Sequence, residues 1–211
     1  MSTDHNVNVF VRIRPTVNFS SDTIELHPDN KSLTIHSKKD ERRGHINNQI
    51  LDWTYRTNRV LHNASQPEVF ERCAEEAIRK SLDGYTSTIM AYGQTGAGKT
   101  FTMTGSSENF QQRGIIPRAI SLIFRKISER KFDHSISIRI SYLEIYNETM
   151  YDLLATIPGT PFVDPSSMTV TEEGNCCRVK GLSVHMANTE EEALNLLFEV
   201  RMWSTEVLIR K

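Results

Sequence analysis

The stretch Ile89–Gly105, IMAYGQTGAGKTFTMTG, decides the fold. Its centre, Gly93–Thr100, fits the pattern GxxxxGK[ST] of a phosphate-binding loop between a strand and a helix. Glycines let successive backbone N–H groups turn inward around an anion, and the following helix adds its positive dipole end at the same place. We therefore predict a strand at 89–92, a phosphate-binding loop, and a helix that begins near Lys99. Together they predict a site for a nucleoside triphosphate.

Two side chains of this stretch carry the chemistry. Lys99 can reach the β- and γ-phosphates as a flexible cation, and the Thr100 hydroxyl can take one position on Mg²⁺. The other predicted nucleotide-binding positions are Gly93, Gln94, Thr95, Gly96, Ala97, Gly98 and Phe101. A glycine-rich turn that fits the pattern by chance is the weaker interpretation, because the strand context would have to coincide as well.

Composition limits the class of protein. The 211 residues are enough for one sizeable domain, and the formal net charge of −1 gives no general attraction to nucleic acid or to an anionic membrane. Cys73, Cys176 and Cys177 form neither a paired framework nor a CxxC spacing, which indicates a reducing compartment. There is no signal-peptide pattern and no apolar run of about 20 residues. We expect a cytoplasmic protein with neither a nucleic-acid nor a membrane partner.

Strand and helix patterns alternate along the chain, which is typical of a layered α/β domain. Helices are predicted from a capping box at Ser65 to a stop at Gly84, over 115–130, and from a second capping box at Thr189. A hairpin is predicted around 28–31. The remaining predictions are strands at 7–13, 23–27, 32–36, 49–55 and 135–146, a short helix at 147–155, and surface loops at 38–43 and 157–167.

The position of the loop bears on the base. The loop begins at residue 93, behind several predicted strands and a helix, whereas small GTPases place it soon after their first strand. The guanine-reading sequence Asn-Lys-x-Asp is also absent, because Asn30-Lys31 is followed by Ser32-Leu33. Adenine is therefore favoured over guanine.

Five blocks of sequence follow one another in a fixed order. They are Val9–Pro15, Tyr92–Gly105, Gly114–Arg118, Ser141–Glu148 with Asp152–Leu154, and Val179–Leu182. In that order they resemble the kinesin motor family, and most of all its kinesin-9 type, over residues 6–199. The resemblance implies an α/β fold of the P-loop NTPase type, with a central mixed sheet flanked by helices. ATP or ADP with Mg²⁺ is the implied ligand.

The resemblance also implies an activity and a partner, namely an ATPase that couples Mg·ATP hydrolysis to movement along microtubules. Arg12, Arg14 and Pro15 match the family's adenine side, where guanidinium groups and a flat ring can stack on the base. Arg178 and Lys180 lie where the family has a hairpin that meets the acidic surface of tubulin, although a solvated hairpin edge stays open for both. The implied location is the microtubule cytoskeleton, including that of cilia.

The resemblance ends after Glu199. The family continues into an Asn-x-x-Ser-Ser-Arg block and an Asp-x-x-Gly block that complete its phosphate site, but the chain continues with Val200–Lys211 and contains no Ser-Ser-Arg. We expect residues 1–199 to form a partial motor domain without the catalytic switch residues, and residues 200–211 to form a divergent tail. A continued helix over the tail is the alternative.

Two functions follow from this ending. The first is a motor ATPase, and the second is a nucleotide-binding or tubulin-interacting fragment without catalysis. Neither the family's main microtubule-binding helices nor a dimerising coiled coil is expected within this segment. Strands that the family places mid-sheet are also expected to be missing, which predicts open sheet edges and exposed apolar surface.

Overall fold

A computed structural model describes residues 7–37, 52–129, 136–155, 157, 160, 167–174 and 176–209, with the backbone alone for Glu173, Cys176 and 200–209. The chain divides into two compact units, Met1–Ile115 and Ile116–Lys211. Helices and strands are mixed in both, which confirms the α/β class. Within the described ranges, no helix combines the length and the apolar character that a membrane span requires.

The first unit contains a parallel strand pair and a three-stranded antiparallel sheet. In the parallel pair, Phe10 lies opposite Arg59 and Ile13 opposite His62. The strands are β1 (Phe10–Ile13), β2 (Ile24–Leu26), β3 (Ser32–His36), β4 (Asp52–Arg56) and β5 (Arg59–His62), of which β1 pairs with β5 and the others form the sheet β2-β3-β4.

The predicted hairpin between β2 and β3 is confirmed, and its turn has a clear local cause. The Asp29 carboxylate accepts hydrogen bonds from the backbone N–H groups of Lys31 and Ser32 at 2.8 and 2.9 Å. Asn30 has a φ of 53°, a conformation that asparagine tolerates better than most residues. Strand β5 was not predicted, because it carries only a short apolar run without alternation.

The helices of the first unit are α1 (Gln66–Cys73), α2 (Glu75–Leu82) and α3 (Lys99–Met103), followed by a 3-10 turn at Phe110–Gln112. The single helix predicted from Ser65 to Gly84 is therefore two helices, broken at Ala74 with φ −127° and ψ −36°. Its predicted start is confirmed, since the Ser65 hydroxyl accepts a hydrogen bond from the Glu68 N–H at 3.3 Å.

The strand predicted at 89–92 is wrong. Residues 85–93 have no strand assignment, and the side chains of Met90 and Tyr92 are 81 % and 97 % exposed. A strand needs a neighbour to satisfy its backbone N–H and C=O groups, and no described strand pairs with this segment. The apolar residues before the loop are therefore extended chain with an open edge.

A small hydrophobic core lies beneath the loop in the first unit. Its buried members come from β5 and the segment after it, from α1 and its C-cap, and from Ile115, and Ile89 and Met103 pack against them. They are Leu61, Ala64, Val69, Ala74 and Ile115. This core therefore packs against one residue before the phosphate loop, Ile89, and one in the helix after it, Met103.

The second unit begins within α4 (Ile115–Glu129), which confirms the helix predicted over 115–130. Its strands form three antiparallel pairs, β6 with β11, β7 with β8, and β9 with β10. The elements are β6 (Ile138–Ile140), β7 (Leu143–Tyr146), β8 (Thr149–Asp152), β9 (Thr169–Glu173), β10 (Cys176–Lys180), β11 (His185–Ala187) and α5 (Glu190–Ile209).

Two predictions for the second unit are wrong. The long strand expected at 135–146 is divided into β6 and β7, and the helix expected at 147–155 is instead β8 followed by a turn. Asn147 and Glu148 have φ values of 47° and 60°, the pair of positive angles that a two-residue type I′ hairpin turn needs. The hairpin prevails because Thr149–Asp152 pairs fully with β7.

The capping box at Thr189 is confirmed with one difference. The Thr189 hydroxyl accepts a hydrogen bond from the Glu192 N–H at 3.1 Å, while the Glu192 carboxylate accepts one from the Asn188 N–H at 2.7 Å. The backbone of α5 is helical to Ile209, as the continued-helix alternative for the tail expected. Most of the loop predicted at 157–167, and the whole of 38–43, lie outside the described residues.

Candidate nucleotide-binding site

The glycines of the loop adopt the backbone conformations that the motif requires. Gly93, Gly96 and Gly98 have φ values of 155°, 82° and 98°. Gly98 is the N-cap of α3 in the left-handed region, where a side chain would be strained. The chain therefore turns tightly between the extended residues before the loop and the helix after it.

Lys99 lies across this turn. Its ammonium donates hydrogen bonds to the carbonyl oxygens of Gly93 and Gln94, at 2.8 and 2.9 Å. Both acceptors are neutral carbonyl oxygens of the loop backbone. A phosphate oxygen would be a stronger acceptor than either carbonyl, because a hydrogen bond between charged groups is roughly twice as strong as a neutral one.

The remaining motif residues are mostly exposed. Thr100 is exposed in the first turn of α3, so its hydroxyl is free of burial and accessible to a hydrated cation. Thr95 and Ala97 are exposed in the turn, and the Phe101 side chain is 44 % exposed. The set fits a Mg·nucleotide in its donors: a lysine ammonium, a threonine hydroxyl and a glycine-rich backbone.

One of the three residues predicted for the adenine side, Arg14, contacts the loop. Arg14 donates a hydrogen bond from Nη1 to the Gly96 carbonyl oxygen at 2.9 Å. Pro15 is exposed directly after it, beyond the end of β1. This hydrogen bond joins two residues that are 82 positions apart in the sequence.

Arg12 occupies a different environment, half-buried behind the loop. It donates to the side-chain oxygens of Gln66 and Thr102, at 3.0 and 2.9 Å, and to the Ala64 carbonyl oxygen at 3.4 Å. Its guanidinium also lies 5.5 Å from the centre of the Phe101 ring, within range of a cation–π interaction. Burial lowers the pKa of Arg12.

The nearby Cys73 packs against the same core. Burial raises the pKa of its thiol to about 11, although the Arg12 charge acts in the opposite direction. The thiol is therefore protonated at neutral pH, which agrees with the prediction from the sequence of a thiol without a disulfide partner.

Gln66 belongs to this region as well, although the sequence does not predict it. This residue is 5 % exposed and connects β1, α1, α3 and the 3-10 turn through its side-chain amide. A single glutamine between a helix cap and a proline has no motif that marks it. The one indication in the sequence is the spacing: Gln66 precedes Val69 and Phe70 by three and four residues, so this polar side chain lies on the apolar face of the helix.

A close backbone approach fixes the chain after α3. Gly105 lies opposite Arg113 in an isolated bridge, and the Gly114 N–H donates to the Thr104 carbonyl oxygen at 2.9 Å. A Cβ atom on Gly105 would lie 2.1 Å from the Gln112 carbonyl oxygen, and one on Gly114 would lie 2.6 Å from Met103 backbone atoms. Both positions exclude any side chain.

Arg178 and Lys180 lie on β10, as the predicted hairpin requires. They pair with Thr171 and Thr169 of β9 and are exposed. Both residues belong to the second unit, whereas the phosphate loop belongs to the first. The hairpin has two basic side chains on one strand, two positions apart, and therefore on the same face.

The fold and the glycine-rich loop define a P-loop nucleotide-binding protein. The model of the kinesin motor domain family matches residues 12–205, nearly the whole chain. The chain belongs to the kinesin motor domain family, whose members are microtubule motors and microtubule-stimulated ATPases that bind ATP and ADP with Mg²⁺.

Individual relatives agree with this assignment. The chain is 53 % identical over 201 residues to the kinesin-like protein KIF9 of Mus musculus and 50 % identical to that of Homo sapiens, covering 94 % of this chain in both cases. It is 42 % identical over 193 residues to the kinesin-like protein KLP1 of Chlamydomonas reinhardtii. The resemblance to the kinesin-9 type is thereby confirmed.

The chain spans about a quarter of the length of these relatives, namely 25 % of both KIF9 proteins and 24 % of KLP1. Among solved structures, a fast kinesin matches with a TM-score of 0.74 and 27 % identity, over 92 % of this chain and 52 % of the other. The match in structure confirms the P-loop NTPase type of fold.

Proposed function

We propose that this chain binds Mg·ATP and Mg·ADP at residues 93–101, as part of a motor that couples ATP hydrolysis to movement along microtubules. The observation that supports this most is the position of Lys99 across a glycine-rich turn, with Arg14 bonded to the same turn. Phosphate recognition and base recognition then meet at one loop.

The roles within the loop follow from chemistry. Lys99 exchanges its two carbonyl acceptors for phosphate oxygens, and the backbone N–H groups of Gly93–Gly98 donate to the same phosphates. The exposed Thr100 hydroxyl supplies one ligand to Mg²⁺, which neutralises phosphate charge when bound.

The adenine side consists of Arg12, Arg14 and Pro15, with unequal roles. Arg14 and Pro15 are exposed beside the loop and can cover one face of a base. Arg12 donates hydrogen bonds to Gln66 and Thr102 and lies over the Phe101 ring, so it positions the end of β1 and the Phe101 ring. The base is adenine, in agreement with the absence of a guanine-reading motif.

Hydrolysis and movement are proposed for the motor to which these residues belong. Phosphoryl transfer needs a positioned water and neutralised charge in addition to the phosphate cradle. The second candidate function is a nucleotide-binding or tubulin-interacting fragment without turnover. Measured ATPase rates with and without microtubules separate the two.

Tubulin is the proposed partner, and the β9–β10 hairpin is the proposed contact in this chain. Arg178 and Lys180 place two exposed positive charges on one face of β10. Such charges speed the encounter with an acidic surface and lose their effect as salt rises. A location on the microtubule cytoskeleton, including that of cilia, belongs to the same proposal.

Thermal melting of the full chain with and without Mg·ADP tests nucleotide binding. A ligand that binds only the native state adds about 2.7 kcal/mol of stability at 100 times its dissociation constant, and we expect a rise in melting temperature of several degrees. Lys99→Ala should abolish the rise. Lys80→Ala is the matched control, because Lys80 is an exposed lysine on α2, paired with Glu76. A cooperative melt that Mg·ADP leaves unmoved would refute the proposal.

A further inference from the structure

The side-chain amide of Gln66 makes three hydrogen bonds to neighbouring groups. Its oxygen accepts from Arg12 Nη1 at 3.0 Å, and its nitrogen donates to the carbonyl oxygens of Phe101 and Gln112 at 2.7 and 3.1 Å. Because an amide nitrogen has two hydrogens and no acceptor site, its two carbonyl partners and the arginine on the oxygen determine a single orientation. The amide is a rigid connection rather than a surface group.

The carbonyl of Phe101 accepts the Gln66 hydrogen bond near the carboxyl end of α3. Helix α3 has only five residues, and the N–H groups of Thr102 and Thr104 donate to the carbonyl oxygens of Gly98 and Thr100. The last carbonyl groups of a helix need partners from outside it. Gln66 therefore caps the carboxyl end of the helix that begins with Lys99.

The other end of the same helix is reached through Arg12. Arg12 Nη1 donates to the Thr102 hydroxyl at 2.9 Å, and that hydroxyl donates to the Gly98 carbonyl oxygen at 2.9 Å. Gly98 is the N-cap of α3. One network, with Gln66 at its centre, thus holds both ends of α3 against β1, the strand that leads to Arg14.

The position of the Arg12 guanidinium depends on its hydrogen-bond acceptors in this network. Its hydrogen-bond partners among the described residues, Gln66, Thr102 and Ala64, are all neutral oxygens. A half-buried cation with neutral acceptors is sensitive to the loss of any one of them, since a removed acceptor is not replaced by bulk water. A change at Gln66 would therefore shift the Arg12 side chain, and with it the end of β1.

We propose that Gln66 is a positioning residue that sets the distance between the base-binding end of β1 and the phosphate-binding start of α3. The proposal rests on the nucleotide-binding function proposed above. It goes further than that function, because it assigns the distance between the base-binding and phosphate-binding parts of the site to a residue that we do not expect to contact the nucleotide.

If Gln66 sets this distance, its loss should affect the binding of two probes differently. ADP with Mg²⁺ needs both halves of the site at the correct distance, whereas inorganic pyrophosphate with Mg²⁺ needs the loop alone. A misplacement of about 1 Å can cost up to roughly a hundredfold where two groups must act together. Loss of Gln66 should therefore weaken ADP binding much more than pyrophosphate binding.

Two variants of the full chain carry the test. Gln66→Glu keeps an acceptor for Arg12 but cannot donate to the carbonyls of Phe101 and Gln112, and Gln66→Met keeps the volume but loses every polar contact. We expect the dissociation constant for ADP to rise at least tenfold in both, and that for pyrophosphate to change less than threefold, as measured by calorimetry. The matched control is Thr34→Val, because Thr34 is also 5 % exposed and bonded to His27 and Thr54 in the three-stranded sheet.

The outcomes are distinct. If the wild-type chain binds neither probe, the proposed function fails and this inference with it. If the wild type binds both, but the Gln66 variants lose stability like Thr34→Val and keep their ADP affinity, Gln66 is only a core residue and the inference alone is wrong. Equal losses for both probes would also overturn it. Should neither Gln66 variant melt cooperatively, Thr102→Val, which breaks the same network nearer the loop, decides by the same comparison.

Discussion

Arg14 donates a hydrogen bond from Nη1 to the carbonyl oxygen of Gly96 at 2.9 Å, which ties the end of β1 to the middle of the phosphate loop. The bond is exposed, so its own contribution to stability is small. Its importance is geometric, because it holds a flat cationic group, of the kind that can stack on a base, beside the loop.

Removal of this group should weaken nucleotide binding with little loss of stability. We expect Arg14→Ala to raise the dissociation constant for Mg·ADP about tenfold, the effect of losing one cation–π or charged hydrogen-bond contact of about 1.4 kcal/mol. Binding is measured by calorimetry at fixed salt. Arg79→Ala serves as the control, because Arg79 is an arginine of α2 paired with Glu75. Unchanged affinity in Arg14→Ala would exclude Arg14 from the base side.

Two glycines with positive φ should respond differently to the same change. Gly84 and Gly105 have φ values of 96° and 71°, but a Cβ atom on Gly84 meets nothing within 4 Å, whereas one on Gly105 lies 2.1 Å from a backbone oxygen. Gly84→Ala should cost about 1 kcal/mol of unfolding free energy from backbone strain alone. Gly105→Ala should cost about 3 kcal/mol or more, because the backbone itself must move.

Urea unfolding of the two variants measures the difference directly. Similar midpoints for both alanine variants would mean that the bridge between Gly105 and Arg113 can open without loss. The result also concerns the nucleotide site, because this bridge fixes the chain directly after α3, the helix that begins with Lys99.

His36 should titrate above the usual range of histidine. Its Nδ1–H donates a hydrogen bond to the Asp52 carboxylate at 2.9 Å, and Nε2 lies 3.4 Å from Glu25; these contacts, the Asp52 hydrogen bond above all, raise the pKa of His36. Because the folded state favours the charged imidazolium, these contacts stabilise the fold. This stabilisation is fully present below the pKa of about 6.5 in the unfolded chain, and it is lost as the pH rises through the pKa of the folded protein. NMR titration of the ring protons gives the folded value.

Asp52→Asn tests the cause of this shift. We expect it to lower the pKa of His36, because the amide does not favour the charged imidazolium as a carboxylate does. Asp83→Asn, a loss of the same charge at the end of α2, should leave the His36 titration where it is. A His36 pKa that does not respond to Asp52→Asn would assign the shift to Glu25 instead.

The hairpin turn of β7 and β8 is not optimal in sequence, so it can be improved. Glu148 has a φ of 60°, where glycine is the preferred residue of a two-residue type I′ turn. Glu148→Gly should raise the free energy of unfolding by about 0.5–1 kcal/mol, since relief of left-handed strain exceeds the added chain entropy. Glu148→Ala, which keeps a Cβ atom at the same φ, is the control for loss of the charge. Destabilisation by glycine would contradict the turn type.

The parts of this protein that the sequence predicted well are those with local causes. The glycine conformations of the phosphate loop, the caps at Ser65 and Thr189 and the Asp29 turn each depend on residues within a few positions of one another. The short helix predicted at 147–155 failed for the opposite reason. Its apolar spacing suits a helix, but all four residues of Thr149–Asp152 pair with β7, which satisfies backbone groups along one edge of the strand.

The sequence by itself determined the class of site, because a glycine-rich loop with Lys99 and Thr100 is a local phosphate-binding motif. It determined the family through five sequence blocks in a fixed order. Only the tertiary structure decided that Met90 and Tyr92 lie on an unpaired segment, that Arg12 turns inward while Arg14 reaches Gly96, and that Gln66 joins them to α3. These features depend on contacts between residues 35 to 90 positions apart, and such contacts leave no periodic or motif signal in the chain.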